Sequence, residues 1–99
     1  KNYKSAWAQF CLLADNDYSR GKIIDYLKSR GIPTAIYYPK PLHKQLAFKD
    51  IMGSIDLDNS FNITEEISNK IFSIPMHPYL SNENIDEICD ILIKAKNEL

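Results

Sequence analysis

The sequence predicts an α/β domain: a small sheet of about three strands with helices packed on one face. A nearly continuous apolar run from Ser5 to Ala14, and two shorter β-branched or aromatic runs at Thr34–Tyr37 and Phe72–Ile74, read as the strands. Apolar residues at helical spacing around Ile23–Leu27 and Ile85–Leu92 supply the helices. The first strand is apolar on both sides, and 99 residues can scarcely cover both, so its second face calls for a partner domain or subunit.

Taken in order, the polar opening Lys1-Asn2-Tyr3-Lys4, without an initiator Met, is what a domain cut from a longer polypeptide would show. Asp15-Asn16-Asp17 ends the first strand by offering side-chain acceptors to a turn. Ser19, with Asp17 its rival, is the expected cap of the first helix, whose stripe is Ile23, Ile24, Leu27 and Tyr26. Lys28 and Arg30 suit that helix's negative end, and Gly31 is placed to close it in the left-handed conformation. Pro33 suits the first position of the middle strand, while Pro39 and Pro41 stop it and hold Tyr38 to Pro41 extended. Leu42 to Ile51 reads as a short helix or two turns, and Gly53 to Asn62 as a loop. Thr64 is the expected cap of a short helix with Ile67 and Ile71 on its buried side, and Glu65 and Glu66 fall in its first turn, where negative charge is favoured. Pro75 and Pro78 stop the last strand, and Ser81 caps a helix whose buried face is Ile85, Ile88, Cys89 and Leu92.

Twelve basic and thirteen acidic side chains leave a net charge of −1, which gives no field-driven attraction to nucleic acid or to an anionic membrane. No stretch approaches the length of a membrane span and no basic-then-apolar leader opens the chain, so cytoplasmic is the expected compartment. Cys11 and Cys89 lack metal-ligand spacing and read as two small core residues in a reducing compartment, without a disulfide. Asp56, Asp58 and Asn59 lack the flanks and closing Glu of a calcium loop. No glycine-rich phosphate cradle, nucleophile turn or HExxH helix is present, and the acidic residues sit where capping and solvation account for them.

The most specified stretch is Gly31 to Gln45. Its prolines stiffen a loop at a sheet edge and hold Tyr37, Tyr38 and His43 with less ordering entropy to lose on binding than a glycine-rich loop would have. Of the two tyrosines, strand alternation turns one inward and the other, Tyr38, outward. His43 is placed either to donate to a ligand or meet an anion, or to bond a local carbonyl. Lys40 and Lys44 bracket the loop, and surface lysines usually need no explanation. His77, between Met76 and Pro78, reads as structural.

The runs GIPTAIYYPKPLHKQLAF (31–48) and TEEISNKIFSIPMHPYLS (64–81), with Ser5-Ala6-Trp7 and the Arg20, Leu27, Gly31 spacing, resemble the C-terminal small domain of the DegT/DnrJ/EryC1/StrS family. The resemblance covers essentially the whole chain and rests on two separated proline-rich motifs in the same order. It implies a fragment of a longer enzyme: a homodimeric, aspartate-aminotransferase-like protein that transfers an amino group, typically from glutamate, to nucleotide-linked keto-sugars. Pyridoxal phosphate would be held by a large N-terminal domain through a lysine that this chain lacks, so the fragment itself would bind no cofactor and be inactive. Lys40 and Lys44 do not take that role. The family's tyrosine-proline and proline-leucine-histidine loop falls on Tyr38, Pro39, Pro41, Leu42 and His43, which makes Tyr38 and His43 substrate-side contacts. Tyr37, where many relatives have histidine, joins them as a candidate, and Asn62 replaces a common proline. Met76, His77 and Pro78 match as scaffold. Against this stand two other readings of the same chain, an independent small-ligand-binding or regulatory α/β domain and a dimerisation module.

Overall fold

A computed structural model describes residues 2–53 and 60–98. The calcium-loop residues Asp56, Asp58 and Asn59 lie outside them. Strand β1 (Phe10–Leu13) is followed by helix α1 (Asp17–Ser29), two 3-10 turns (Leu42–Lys44 and Leu46–Phe48) and the short helix α2 (Lys49–Met52). Helix α3 (Asn62–Lys70) then runs directly into strand β2 (Ile71–Ile74), and helix α4 (Asn82–Glu98) closes the described chain.

The sheet corrects the expected count. Among the described residues it has two strands, β1 and β2, paired antiparallel with Phe10 opposite Ile74, Cys11 opposite Ser73, Leu12 opposite Phe72 and Leu13 opposite Ile71. The expected middle strand shrinks to a single bridge, in which Ala35 exchanges both backbone hydrogen bonds with Ser73 (2.7 and 3.1 Å). The reason lies in its prolines: Pro33 brings no N–H, and Pro39 and Pro41 remove two more just beyond. β2 is thus flanked on both sides, and β1 lies at the rim. Ser73 spends its backbone groups on Ala35, so antiparallel geometry turns those of its opposite number, Cys11, toward the outer edge.

Alternation along both strands puts Leu12, Phe72 and Ile74 on one face, where α1 and α4 pack. The core is Ala14, Leu27, Ile32, Phe72 and Ile88, with Leu27 fully buried and Phe72 2% exposed. The other side of β1 is open: Cys11 and Leu13 are both exposed. Cys11 and Cys89 are free thiols on the surface, not core residues. On α4 the buried stripe runs through Ile88 and Ala95, with Leu92 half-buried, while Ile85 and Cys89 fall on its exposed flank.

The caps explain where the helices begin. Asn16, not Ser19 or Asp17, caps α1, its Oδ1 accepting from the Ser19 N–H at 2.8 Å. Gly31, at φ +77°, closes that helix as expected. Its N–H and that of Arg30 reach back to the Lys28 and Leu27 carbonyls. α3 begins two residues before the expected Thr64 cap and carries no side-chain cap. At α4 the reading holds: Ser81 Oγ accepts from the Asn84 N–H at 3.2 Å, and Asn84 Oδ1 reaches back to the Ser81 N–H at 3.4 Å, a capping box with Asn in the place of Glu. Arg20 ties α1 to α3 by donating from Nη1 to the Ser68 carbonyl (2.8 Å) while its Nη2 pairs with Asp17. No helix among the described residues is long and apolar enough to cross a membrane.

Candidate functional site

The site is assembled from the loop after Ala35 and the first turn of α3. The loop closes on itself through a few bonds: Lys44 N–H to the Pro41 carbonyl at 3.0 Å, Gln45 N–H to the Leu42 carbonyl at 3.1 Å, and Gln45 Nε2 to the Lys40 carbonyl at 3.0 Å. Prolines on either side restrict what else the segment can do, so few bonds suffice to fix it.

Tyr37 and Tyr38 stand at the start of this loop, 45% and 72% exposed, with ring centroids 5.9 Å apart at 71° in an edge-on arrangement. The expectation that one of the pair would pack inward is corrected. Only Ala35 takes part in the sheet, so strand alternation does not extend to residues 37 and 38. Both rings border a hollow of about 320 Å³ whose far wall is Ile63, Thr64 and Ile67 of α3.

His43 is in a different setting. Its side chain is only 8% exposed, its Nε2 meets Glu65 Oε1 at 2.9 Å, and its ring stacks on Phe61 with centroids 4.6 Å apart at 17°. Its partner is a carboxylate, then, where sequence reasoning weighed a ligand against a local carbonyl. The other Glu65 oxygen, Oε2, takes Lys44 Nζ at 2.6 Å. Glu65 is the residue that sequence reasoning missed here, because its place in the first helical turn was already accounted for by the helix dipole. Its separation of 22 residues from His43 leaves no local spacing that could have flagged the pair. His43, Lys40, Lys44 and Lys49 also border a second open hollow of about 460 Å³. The tyrosines and His43 thus share one loop but not one cavity lining.

Hydrogen bonds from Lys44 first and His43 second hold the Glu65 carboxyl below the ordinary glutamate range, against a smaller opposing effect of desolvation. A carboxyl whose folded value is depressed adds stability above its unfolded value, and that stability is lost as pH falls through the folded one. Acidification from the ordinary glutamate range downward is therefore expected to release the loop from α3. NMR contacts between the His43 and Phe61 rings should persist through neutral pH and fade in that acid window.

His77 stands apart from this cluster. Its Nδ1 accepts from the Tyr79 N–H at 3.2 Å, a local turn contact. It borders an apolar groove of about 510 Å³ that also takes in Trp7, Phe10, Met76, Ile85 and Cys89. Trp7 and Phe10 stack at 5.7 Å along this groove, and both are exposed.

Comparisons with known proteins agree on one family. The family model described as the DegT/DnrJ/EryC1/StrS aminotransferase family matches residues 1–93. A UDP-2-acetamido-2-deoxy-3-oxo-D-glucuronate aminotransferase of Pseudomonas aeruginosa is 35% identical over 91 residues, 92% of this chain and 23% of that protein. A dTDP-3-amino-3,6-dideoxy-alpha-D-galactopyranose transaminase of Aneurinibacillus thermoaerophilus is 34% identical over 65 residues, 66% of this chain and 16% of that protein. Among solved structures, a DegT DnrJ EryC1 StrS aminotransferase from Brucella abortus superimposes with a TM-score of 0.68 at 33% identity, covering 91% of this chain and 22% of that one. The chain therefore spans less than a quarter of the length of these relatives. With residues 1–93 matched and the fold shared with a solved member, the chain belongs to the DegT/DnrJ/EryC1/StrS aminotransferase family.

Proposed function

We propose that this chain is the C-terminal small domain of a pyridoxal-phosphate-dependent aminotransferase acting on a nucleotide-linked keto-sugar, and that it forms one wall of the substrate pocket. The observation that carries this reading is the match of residues 1–93 to the family, in a chain less than a quarter as long as its relatives. Two of those relatives are named for UDP- and dTDP-linked sugars, which supports a nucleotide-sugar substrate here.

The division of labour follows from what the side chains offer. Lys40 and Lys49 are exposed, and Lys44 is exposed and paired with Glu65. Surface lysines of this kind do not fit a covalent cofactor site, which needs a shielded amine whose charge burial can suppress. Pyridoxal phosphate, held by the remainder of the enzyme, supplies the amino carrier and the electron sink. This chain contributes orientation: Tyr37 and Tyr38 present two amphipathic rings on a stiff loop, and a wall that does not need ordering on binding keeps the sugar in register at little entropic cost. His43, bonded to Glu65 through Nε2, supports the loop and borders the second hollow.

The exposed apolar groove along Trp7, Phe10, Met76 and Ile85 supports a covering neighbour, which we take to be the enzyme's own large N-terminal domain. An independent ligand-binding domain would instead be expected as a well-behaved monomer without a large exposed apolar patch. The whole enzyme would then be a homodimer in the cytoplasm, with a nucleotide sugar and an amino donor as its substrates. The test is an assay of the full-length protein with glutamate and UDP- or dTDP-linked keto-sugars. Formation of the amino sugar with matching 2-oxoglutarate is the expected result. Stoichiometric, specific binding of pyridoxal phosphate by the 99-residue chain alone would overturn the assignment.

A further inference from the structure

We propose that Glu65 is the positioning residue of this wall: its carboxylate selects the tautomer of His43 and, by pairing with Lys44 as well, holds the Pro39–Gln45 turn against α3. The inference deepens the reading of that loop as part of the substrate pocket and rests on it.

Two contacts define the histidine, and both come from residues 61–65. The stack on Phe61 at 4.6 Å and 17° sets the plane of the ring. The 2.9 Å contact with Oε1 sets its rotation. The chemistry of that contact sets the proton. An ionised carboxylate has lone pairs and no donor, so the Nε2 beside it must carry hydrogen, and in the neutral ring the lone pair is left on Nδ1. The ring that borders the hollow with Lys40, Gln45 and Lys49 is therefore presented in one tautomer with its acceptor nitrogen assigned.

The two carboxylate oxygens are divided between adjacent loop residues, Oε1 to His43 and Oε2 to Lys44. Two anchors on consecutive residues resist rotation of the turn as well as its translation. The loop's own bonds, among residues 40 to 45, close the turn without reaching the imidazole, so they cannot take over this role. α3 has no side-chain cap, and Glu65 makes its contacts to the loop instead of to the helix's own end.

Imidazole nitrogen NMR on the 99-residue chain, read on the uncharged ring, with Glu65→Gln and Glu65→Ala, tests the selection directly. The wild-type chain should show His43 with hydrogen on Nε2 alone. In Glu65→Gln the side-chain amide can accept or donate, so both tautomers should appear, and Glu65→Ala should relax to the mixture of a free neutral imidazole, in which Nε2–H predominates and Nδ1–H is plainly present. In the full-length enzyme Glu65→Ala should raise KM for the keto-sugar nucleotide about tenfold with kcat little changed, and Glu65→Gln should restore part of the loss. A His43 that keeps hydrogen on Nε2 alone in Glu65→Ala, with no Nδ1–H form, overturns the proposal whatever the kinetics do. A tautomer that changes while KM for the sugar stays fixed would leave Glu65 as the holder of His43 and would overturn the reading of this loop as a substrate wall.

Discussion

Replacing Phe72 by Ala is expected to remove about 3–5 kcal/mol of folding stability, the range for emptying a buried aromatic site. Phe72 sits on the flanked strand β2, opposite Leu12, at 2% exposure and in the centre of the cluster formed with Ala14, Leu27, Ile32 and Ile88. Both α1 and α4 rest on that face, so the space left by the ring borders three elements that cannot all close in at once. A domain of this length has about 5–15 kcal/mol in total, so the variant should be largely unfolded under mild conditions. Urea titration followed by circular dichroism reads the result. Leu13→Ala, on the open side of the neighbouring strand, is the control and should stay within about 0.5 kcal/mol of the parent. Equal midpoints for the two variants would show that the cluster around Phe72 is not the core.

His43→Ala in the full-length enzyme should lower kcat/KM for the keto-sugar nucleotide by about 100-fold, the scale associated with a displacement of about 1 Å at a positioning element. The change removes the ring that stacks on Phe61 and the partner of Glu65 Oε1, leaving Lys44 as the only tie from the carboxylate to the loop. Loss of orientation that acts on substrate and transition state alike appears in KM, so KM should carry most of the effect. Part of the cost is packing, because the imidazole is nearly buried. A Tyr38→Ala variant separates the two contributions: its side chain is mostly exposed, so it should lower kcat/KM with almost no change in melting temperature. Unchanged kinetics in both variants would remove this loop from the pocket.

What could be seen in the sequence follows the range over which each signal acts. The capping box at Ser81, the left-handed closure at Gly31 and the stripe through Leu27 are settled by residues within a turn or two of one another, and local chemistry was enough. The cap at Asn16 was local as well, but three neighbouring residues offered equivalent oxygens and only the backbone could choose among them. The sheet was harder. A run of apolar residues from Ser5 to Ala14 announces a strand, yet its paired length is set by the four residues of β2, some sixty positions away. Thr34 to Tyr37 has strand-forming side chains, but its ladder depends on backbone donors that the prolines withhold. The two cysteines were legible as free thiols and not as surface residues, because strand alternation at Cys11 and helical spacing at Cys89 mark a face without saying which neighbour covers it. At the site, the stiff loop and its tyrosines could be read directly. The Glu65 contact could not, since a first-turn glutamate already has a sufficient local explanation.

The pairing of β1 with β2 also governs the order of events while the polypeptide is being made. The pair that brings Cys11 to Ser73 spans 62 positions, so β1 has no mate until β2 has left the ribosome, and the helix carrying Ile88 follows later still. Throughout that interval the nascent segment from Trp7 to Leu13 exposes apolar side chains beside a strand with neither edge occupied, a template for association with other copies. Emergence of residue 74 from the ribosome is the point at which that hazard begins to fall, and chaperone protection during translation matters most before it.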